Sequence, residues 1–284
     1  MVRKISAVSC FLLFTCLAFC QTDVSQDFRF LKHLEKLEEW DEGLLFLDQI
    51  DSRSFSGDTM NFFRGKFQYK LRKSTRSIAS FQQVSKNNWE YFRYARFFGA
   101  FQSAYTGDLS GSYALLSEYE PRDSSMTRLK NLQIAGIDLL KRDFSGYLEK
   151  QKEFTYAYDL EPYERGIVER YGQLKDFKRK SPFTAALLST VIPGAGRFYI
   201  GNPGQGVAGL LVTSIFGLQA LEGYRKDGVN SVRFILFGSL FSISHIANIW
   251  GTALAVRIRR DEFNDQINDS ILLDMHIPLR VLLD

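Results

Sequence analysis

Four short segments of this chain recur at a nearly fixed interval: Glu39-Trp40-Asp41-Glu42-Gly43, Lys73-Ser74-Thr75-Arg76-Ser77, Gly107-Asp108-Leu109-Ser110-Gly111 and Arg142-Asp143-Phe144-Ser145-Gly146. The small residues that close them, Gly43, Ser77, Gly111 and Gly146, lie 34, 34 and 35 positions apart. No other feature limits the fold so strongly, because a period of this length marks one supersecondary unit that cannot bury its own apolar face. Neighbouring units must stack to close a continuous core. Twelve positions before the closing residue a second small residue, Gly65 or Gly99, occurs in the second and third units, while Leu31 and Ile134 hold that place in the first and fourth. Four positions after it, Leu47, Phe81 and Leu115 supply an apolar filler, and Lys150 breaks the pattern. Turn-forming residues fall between units, at Ser54-Phe55-Ser56-Gly57, Lys86-Asn87-Asn88, Glu120-Pro121-Arg122-Asp123 and Leu160-Glu161-Pro162.

The spacing, with its paired small positions, resembles the tetratricopeptide repeat. That resemblance implies an all-α architecture over residues 25–175, a solenoid of antiparallel helical hairpins with a groove suited to a protein partner. A further helix from about Tyr163 to Lys175 caps the stack or leads into the membrane. The middle units are rich in aromatics, and their helical spacing reads mainly as core. In Trp89-Glu90-Tyr91-Phe92-Arg93-Tyr94, however, the aromatics occupy more than one helical face. Trp89, Arg93, Tyr94 and Arg96 are therefore the candidate residues of a partner-binding groove.

The N-terminus has the grammar of a secretory signal peptide over residues 1–20: Arg3 and Lys4, then an apolar stretch from Ala7 to Phe19, with cleavage between Cys20 and Gln21. An uncleaved signal anchor is the alternative. Either reading sends the repeats out of a bacterial-type cell, into the periplasm. Cys10, Cys16 and Cys20 all fall in this segment, so a cleaved chain has no thiol chemistry. Lipidation of Cys20 is the exception to consider, since Leu17-Ala18-Phe19-Cys20 loosely resembles a lipoprotein box, with Phe19 where a small residue belongs.

After the basic stretch Lys175-Asp176-Phe177-Lys178-Arg179-Lys180 the composition turns apolar. Gly206 to Leu221 and Phe234 to Val256 carry no formal charge and read as membrane-spanning helices, with Thr184 to Ile200 as a possible third crossing. Ahead of them stands Pro193-Gly194-Ala195-Gly196-Arg197-Phe198-Tyr199-Ile200-Gly201. It resembles the PGxGxFYxG motif of a small bacterial two-pass membrane domain that follows signal peptides and helical repeats; Arg197 stands where that pattern often has Gln. The resemblance spans Lys180 to about Phe263 and implies a helical hairpin in the bilayer, over residues 181–256, with no chemistry attached. Pro193, Gly194, Gly196, Phe198, Tyr199 and Gly201 are its motif residues. Within the second span, Ala247, Gly251 and Ala255 have the small-xxx-small spacing of a close helix–helix face. His245 and Asn248 share one side of the same helix, as hydrogen-bonding residues of the hairpin or as an ion or proton site. The tail, residues 257–284, carries an amphipathic stretch around Ile271-Leu272-Leu273.

Lys and Arg number 36 against 32 Asp and Glu, spread along the chain, which argues against a nucleic-acid surface. The glycines of the membrane motif are followed by no Lys-Ser/Thr pair and preceded by no strand pattern, so they are not a nucleotide cradle. His33, His245 and His276 are far apart, and no HExxH, GxSxG or clustered acid pair accompanies them. The reading is of a chain that is not an enzyme and needs no metal, cofactor or small-molecule substrate. Two functions remain: a scaffold for a protein partner held at the bilayer by its hairpin, or a hairpin acting as channel, transporter component or insertion factor with the repeats as recruiting arm. A helical hairpin favours the inner membrane, since outer-membrane proteins span as barrels.

Overall fold

The computed structural model describes residues 24–50 and 55–284. The signal segment over residues 1–20, Cys20, and Ser54 at the first turn lie outside the described residues. Every regular element among the described residues is an α-helix. The chain divides into two compact units, one running to Val168 and including Ile271–Asp284, the other Glu169–Ser270.

The first unit holds four helix pairs: α1 (Val24–Lys36) with α2 (Trp40–Gln49), α3 (Gly57–Lys70) with α4 (Ser74–Gln82), α5 (Trp89–Tyr105) with α6 (Leu109–Ser117), and α7 (Ser124–Lys141) with α8 (Phe144–Gln151). The start of α9 (Glu161–Asp176) follows. Each pair is joined by the same turn. Its first helix ends on a left-handed residue, Glu38 (φ 61°), Arg72 (59°), Gly107 (88°) or Arg142 (62°). The next residue, Glu39, Lys73, Asp108 or Asp143, opens the second helix with φ between −82° and −87°. Left-handed backbone costs a non-glycine residue roughly 1–2 kcal/mol. Three of these turns offset it with a Schellman pair of bonds. In them Glu39, Lys73 and Asp143 donate back to the carbonyls of Leu34, Gln68 and Asp138, at 3.1, 2.8 and 2.8 Å.

The recurring small position serves two different ends. Gly43 leaves room for the Phe67 ring, and Ser77 donates its hydroxyl to the Gly65 carbonyl at 2.7 Å while Gly65 itself makes way for Phe81. Gly111 and Gly146 instead donate backbone N–H to the capping carboxylates of Asp108 and Asp143, at 2.9 and 3.0 Å. Leu31, Leu47, Phe81, Leu115 and Ile134 are all buried, and Lys150 turns outward to pair with Glu153 at 2.9 Å. Around them Phe63, Phe67, Phe97 and Phe98 form an aromatic core.

The second unit contains α10 (Pro182–Val191), the short α11 (Ala195–Tyr199), α12 (Pro203–Asp227) and α13 (Val232–Leu283), whose last residues belong to the first unit. With 25 and 52 residues, α12 and α13 are long and apolar enough to cross a membrane. The stretch Thr184 to Ile200 is not one span. α10 has 10 residues, about 15 Å of helix against a hydrocarbon core of about 30 Å. The chain then turns at Gly194, whose φ of 87° favours glycine.

Gly196 explains why the motif is tight. A Cβ there would strike the Ala185 carbonyl oxygen, the Thr252 methyl and the Ser189 hydroxyl. Gly196 N–H donates to Ser189 Oγ at 3.1 Å, Ser189 donates to Thr252 Oγ1 at 3.2 Å, and Thr252 donates to the Asn248 carbonyl at 2.7 Å. One polar chain thus ties α10, α11 and α13. Against α13, α12 presents small residues: Gly209 under the Asn248 amide, Gly217 under Phe241 and Gly223 under the Arg233–Phe234 backbone. The close-approach seam therefore runs along α12. Ala247 is exposed, and Gly251 faces the Arg197 guanidinium, because the turn of α13 carrying Asn248 is the one that meets α12.

Candidate partner-binding groove

Ile271, Met275 and Leu279 repeat every fourth residue at the end of α13, and all three are fully buried. That spacing aligns them on one helical face, and the face is bound by the repeats. Gln133 on α7 donates its amide to the Met275 carbonyl at 2.7 Å, and Gly136, one turn on, lacks the Cβ that would collide with the Met275 side chain. Gly166 on α9 makes the same kind of room for Asp274. With one face on its repeat neighbours and another on the tail, α7 is buried almost continuously from Asn131 to Leu139.

Polar grips flank this apolar stripe. His276 stacks on Phe101 with ring centroids 4.4 Å apart and planes at 6°, and its Nε2 meets the Tyr69 hydroxyl. The Asp284 carboxylate lies between Lys66, at 3.0 Å, and Lys70, at 2.6 Å. It also accepts from the Tyr94 hydroxyl at 3.4 Å. Lys66 bridges onward to Glu35 at 3.0 Å, and Lys32 donates to the same carboxylate at 2.8 Å. Cavities of ≈ 590 and ≈ 450 Å³ remain beside the helix, the first reaching Trp40 and Val281, the second Arg72, Ser74 and Tyr105.

Burial opposes ionisation of Glu35 and Asp284, yet the hydrogen bonds and charges of Lys32 and Lys66 on one, and of Lys70 and Lys66 on the other, hold both below the usual carboxylate range. Burial pulls the Lys66 ammonium down, but Glu35 and Asp284 together leave it raised. Tyr69 is pushed up to about 12 by burial and then by the Asp284 charge, so its hydroxyl stays protonated. His276 is lowered by burial and by the charges of Arg280 and Lys70, with Asp284 opposing. A depressed carboxylate loses its contribution as pH falls through the lowered value, and a histidine kept neutral when docked protonates more readily once released. Docking of the tail therefore strengthens from acid toward neutral pH.

Of the four groove residues expected from sequence, Tyr94 alone meets the tail. Arg96 is buried, donating to the carbonyls of Phe81 at 2.9 Å and Val84 at 3.3 Å, with Glu118 beside its Nε at 2.9 Å. It joins α4, α5 and α6 internally. Trp89 stacks on Tyr119 and carries the Arg122 guanidinium 3.7 Å over its ring. Arg93 lies 3.8 Å from Glu90. The residues that do hold the tail, Lys66, Lys70, Tyr69, Phe101 and Gln133, had one signal in the sequence, the unpartnered stripe around Ile271. In the second unit, His245 stacks on Phe241, and the buried His245 Nδ1 and Asn248 Nδ2 have no hydrogen-bond partner. The chain matches no protein-family model, no curated protein and no solved structure.

Proposed function

We propose that this chain is a membrane-anchored scaffold of the bacterial cell envelope, in which a tetratricopeptide-like array binds a helical segment of a partner protein. The observation that carries the reading is the grip on residues 271–284. A surface that buries Ile271, Met275 and Leu279, stacks a ring on His276 and clasps Asp284 with two lysines has the chemistry of helix-in-groove recognition. The tail is then an intramolecular occupant, and the partner is an amphipathic helix of the same pattern, apolar at every fourth residue and acidic near its end.

The hairpin of α12 and α13 is the anchor. The packing of the tail in the same unit as the repeats supports a topology with both on one side of the bilayer and an even number of crossings. The two long apolar helices meet that requirement. The signal-like N-terminus supports export, with the repeats in the periplasm and the hairpin in the inner membrane.

A labelled peptide of the tail sequence and a photo-crosslinker at Tyr105, which is exposed beside the groove, test this in the full-length chain. Removing the buried Met275 side chain should weaken docking by about 2–5 kcal/mol. The M275A/D284N double variant should bind the peptide where the wild type does not, and should crosslink a cellular protein that the peptide displaces. If neither chain crosslinks anything the peptide displaces, the scaffold reading fails.

The unpartnered nitrogens of His245 and Asn248 favour a second reading, in which the hairpin itself moves an ion or proton. A cellular phenotype for His245→Ala in a normally folded and localised protein is its expected consequence, and wild-type behaviour of that variant sinks it.

A further inference from the structure

The most specific sequence motif of the chain forms one wall of a small basic cavity in the second unit. The cavity, ≈ 180 Å³, is lined by Phe177, the run Lys178-Arg179-Lys180, Ile200 and Gly201 of the motif, and Val256, Arg259 and Arg260 of α13. Its two basic walls are separated by nearly eighty residues in sequence and are brought together by defined contacts. Phe177 stacks on Phe263 with centroids 3.9 Å apart and planes at 8°, which lays the lysine-arginine run beside α13. Lys180 Nζ donates to the Tyr199 carbonyl, and Arg259 Nη1 donates to the Ile200 carbonyl, so two cations secure the turn after α11. Gly201, with φ 85°, keeps that turn open toward Arg259. Lys178, Arg179 and Arg260 complete the basic lining, and Arg260 lies 3.2 Å from Asp261.

We propose that this cavity binds the phosphate of an anionic membrane lipid. The site stands where the apolar segments begin and end, beside the start of α10 at Pro182, the start of α12 at Pro203 and the end of the uncharged run at Val256. That is the level of lipid headgroups, and basic pockets between membrane helices are headgroup sites. The volume is below the roughly 300–1,000 Å³ of cavities that enclose a drug-sized ligand, which suits a phosphodiester and excludes a nucleotide. If the repeats are exported, Lys178, Arg179, Lys180, Arg257, Arg259 and Arg260 lie on the side that topology rules leave poor in basic residues. A lipid phosphate gives them a use there. The inference rests on the reading that α12 and α13 cross a bilayer.

The test is native mass spectrometry of the full-length chain, first shown to stay in the membrane at alkaline pH, titrated with phosphatidylglycerol, phosphatidylcholine and inorganic phosphate. Phosphatidylglycerol should bind as a single preferred adduct, and its preference should fall as salt rises. Each cation near a membrane surface contributes about five-fold, so K178Q/R179Q/R260Q, which spares the two carbonyl-binding cations, should lose on the order of 100-fold. R225Q/K226Q, at the opposite end of the hairpin, should lose nothing. Equal binding of the two lipids, or equal loss in both variants, overturns the site. Displacement of the lipid by inorganic phosphate at matching concentration overturns the lipid assignment in favour of free phosphate. A chain extracted at alkaline pH overturns the membrane reading and the site with it.

Discussion

The two units solve the same packing problem with opposite materials. In the repeat unit the fully buried side chains are large: Phe63, Phe67, Phe81, Phe97, Phe98 and Tyr119. In the second unit the buried residues of α12 are small or hydroxylated, Gly206, Thr213, Ala220 and Gly223, Ser189 and Thr252 are buried on α10 and α13, and a small apolar cluster joins Ala185, Ile200 and Val256. Its large apolar groups point outward, with Trp250 74%, Leu218 67% and Ile243 65% exposed. In water, removing aromatic surface from solvent drives packing. In lipid that drive between helices vanishes, so close backbone approach and hydrogen bonds hold the helices together. The contrast is the one expected if α12 and α13, long and apolar enough to cross a membrane, lie in lipid while the first unit lies in water.

The largest expected effect breaks or keeps that contrast directly. Phe67→Ala empties a site bounded by Trp40 and Phe63, with ring centroids 5.6 and 5.8 Å away. It should cost about 3–5 kcal/mol of repeat-unit stability in denaturant titration. Leu218→Ala removes an apolar side chain that is 67% exposed on the outward face of α12, and in nanodiscs it should change stability by less than about 0.5 kcal/mol. A Leu218→Ala cost comparable to that of Phe67→Ala means the outward face packs on protein instead of lipid.

Next comes the polar junction of the second unit. Gly196→Val sets a Cβ against the Ala185 carbonyl oxygen, a backbone atom that cannot step aside. Overpacking of this kind costs about 1–3 kcal/mol, which a thermal melt of the protein in detergent will register. Gly204→Ala, where a Cβ meets nothing within 4 Å, should leave the melt unchanged. If both variants behave alike, the motif glycines serve chain flexibility and not close approach.

These contrasts also mark how far the residues could be read in advance. The four recurring segments coincide with the turns inside the helix pairs because each turn is local: Gly43, Ser77, Gly111 and Gly146 lie within a few residues of the left-handed positions. The outward apolar runs of α12 and α13 were legible for the same reason, since charge depletion is a property of consecutive residues. Arg96 reads as a groove residue because its charge is conspicuous in the sequence, whereas the backbone carbonyls of Phe81 and Val84 to which it donates leave no trace there. Lys66 and Lys70 have no sequence context that sets them apart from ordinary helix-surface cations, and only the contact with Asp284 at the end of α13 gives them a role. The basic cavity stayed hidden for a similar reason, its two walls being adjacent in space alone.

The smallest effect separates two carboxylates within a single repeat turn. Asp143 caps α8, and hydrogen bonds from the Ser145 hydroxyl and the Gly146 N–H hold it below its ordinary value. Asp138, one turn earlier on α7, is pushed up to about 6 by burial and then by the charge of Asp143. A group whose folded value lies above its unfolded value stabilises the fold below the unfolded value and loses that contribution as pH rises through the folded one. Asp138 should therefore weaken the repeat unit between about pH 4 and neutrality. Asp138→Asn keeps the shape and removes the charge, so its melting temperature relative to wild type should climb across that window and level off above it. A difference that stays constant from acid to neutral pH means that Asp138 ionises freely, and that the α7–α8 turn is wetter than its packing around Gly146 implies.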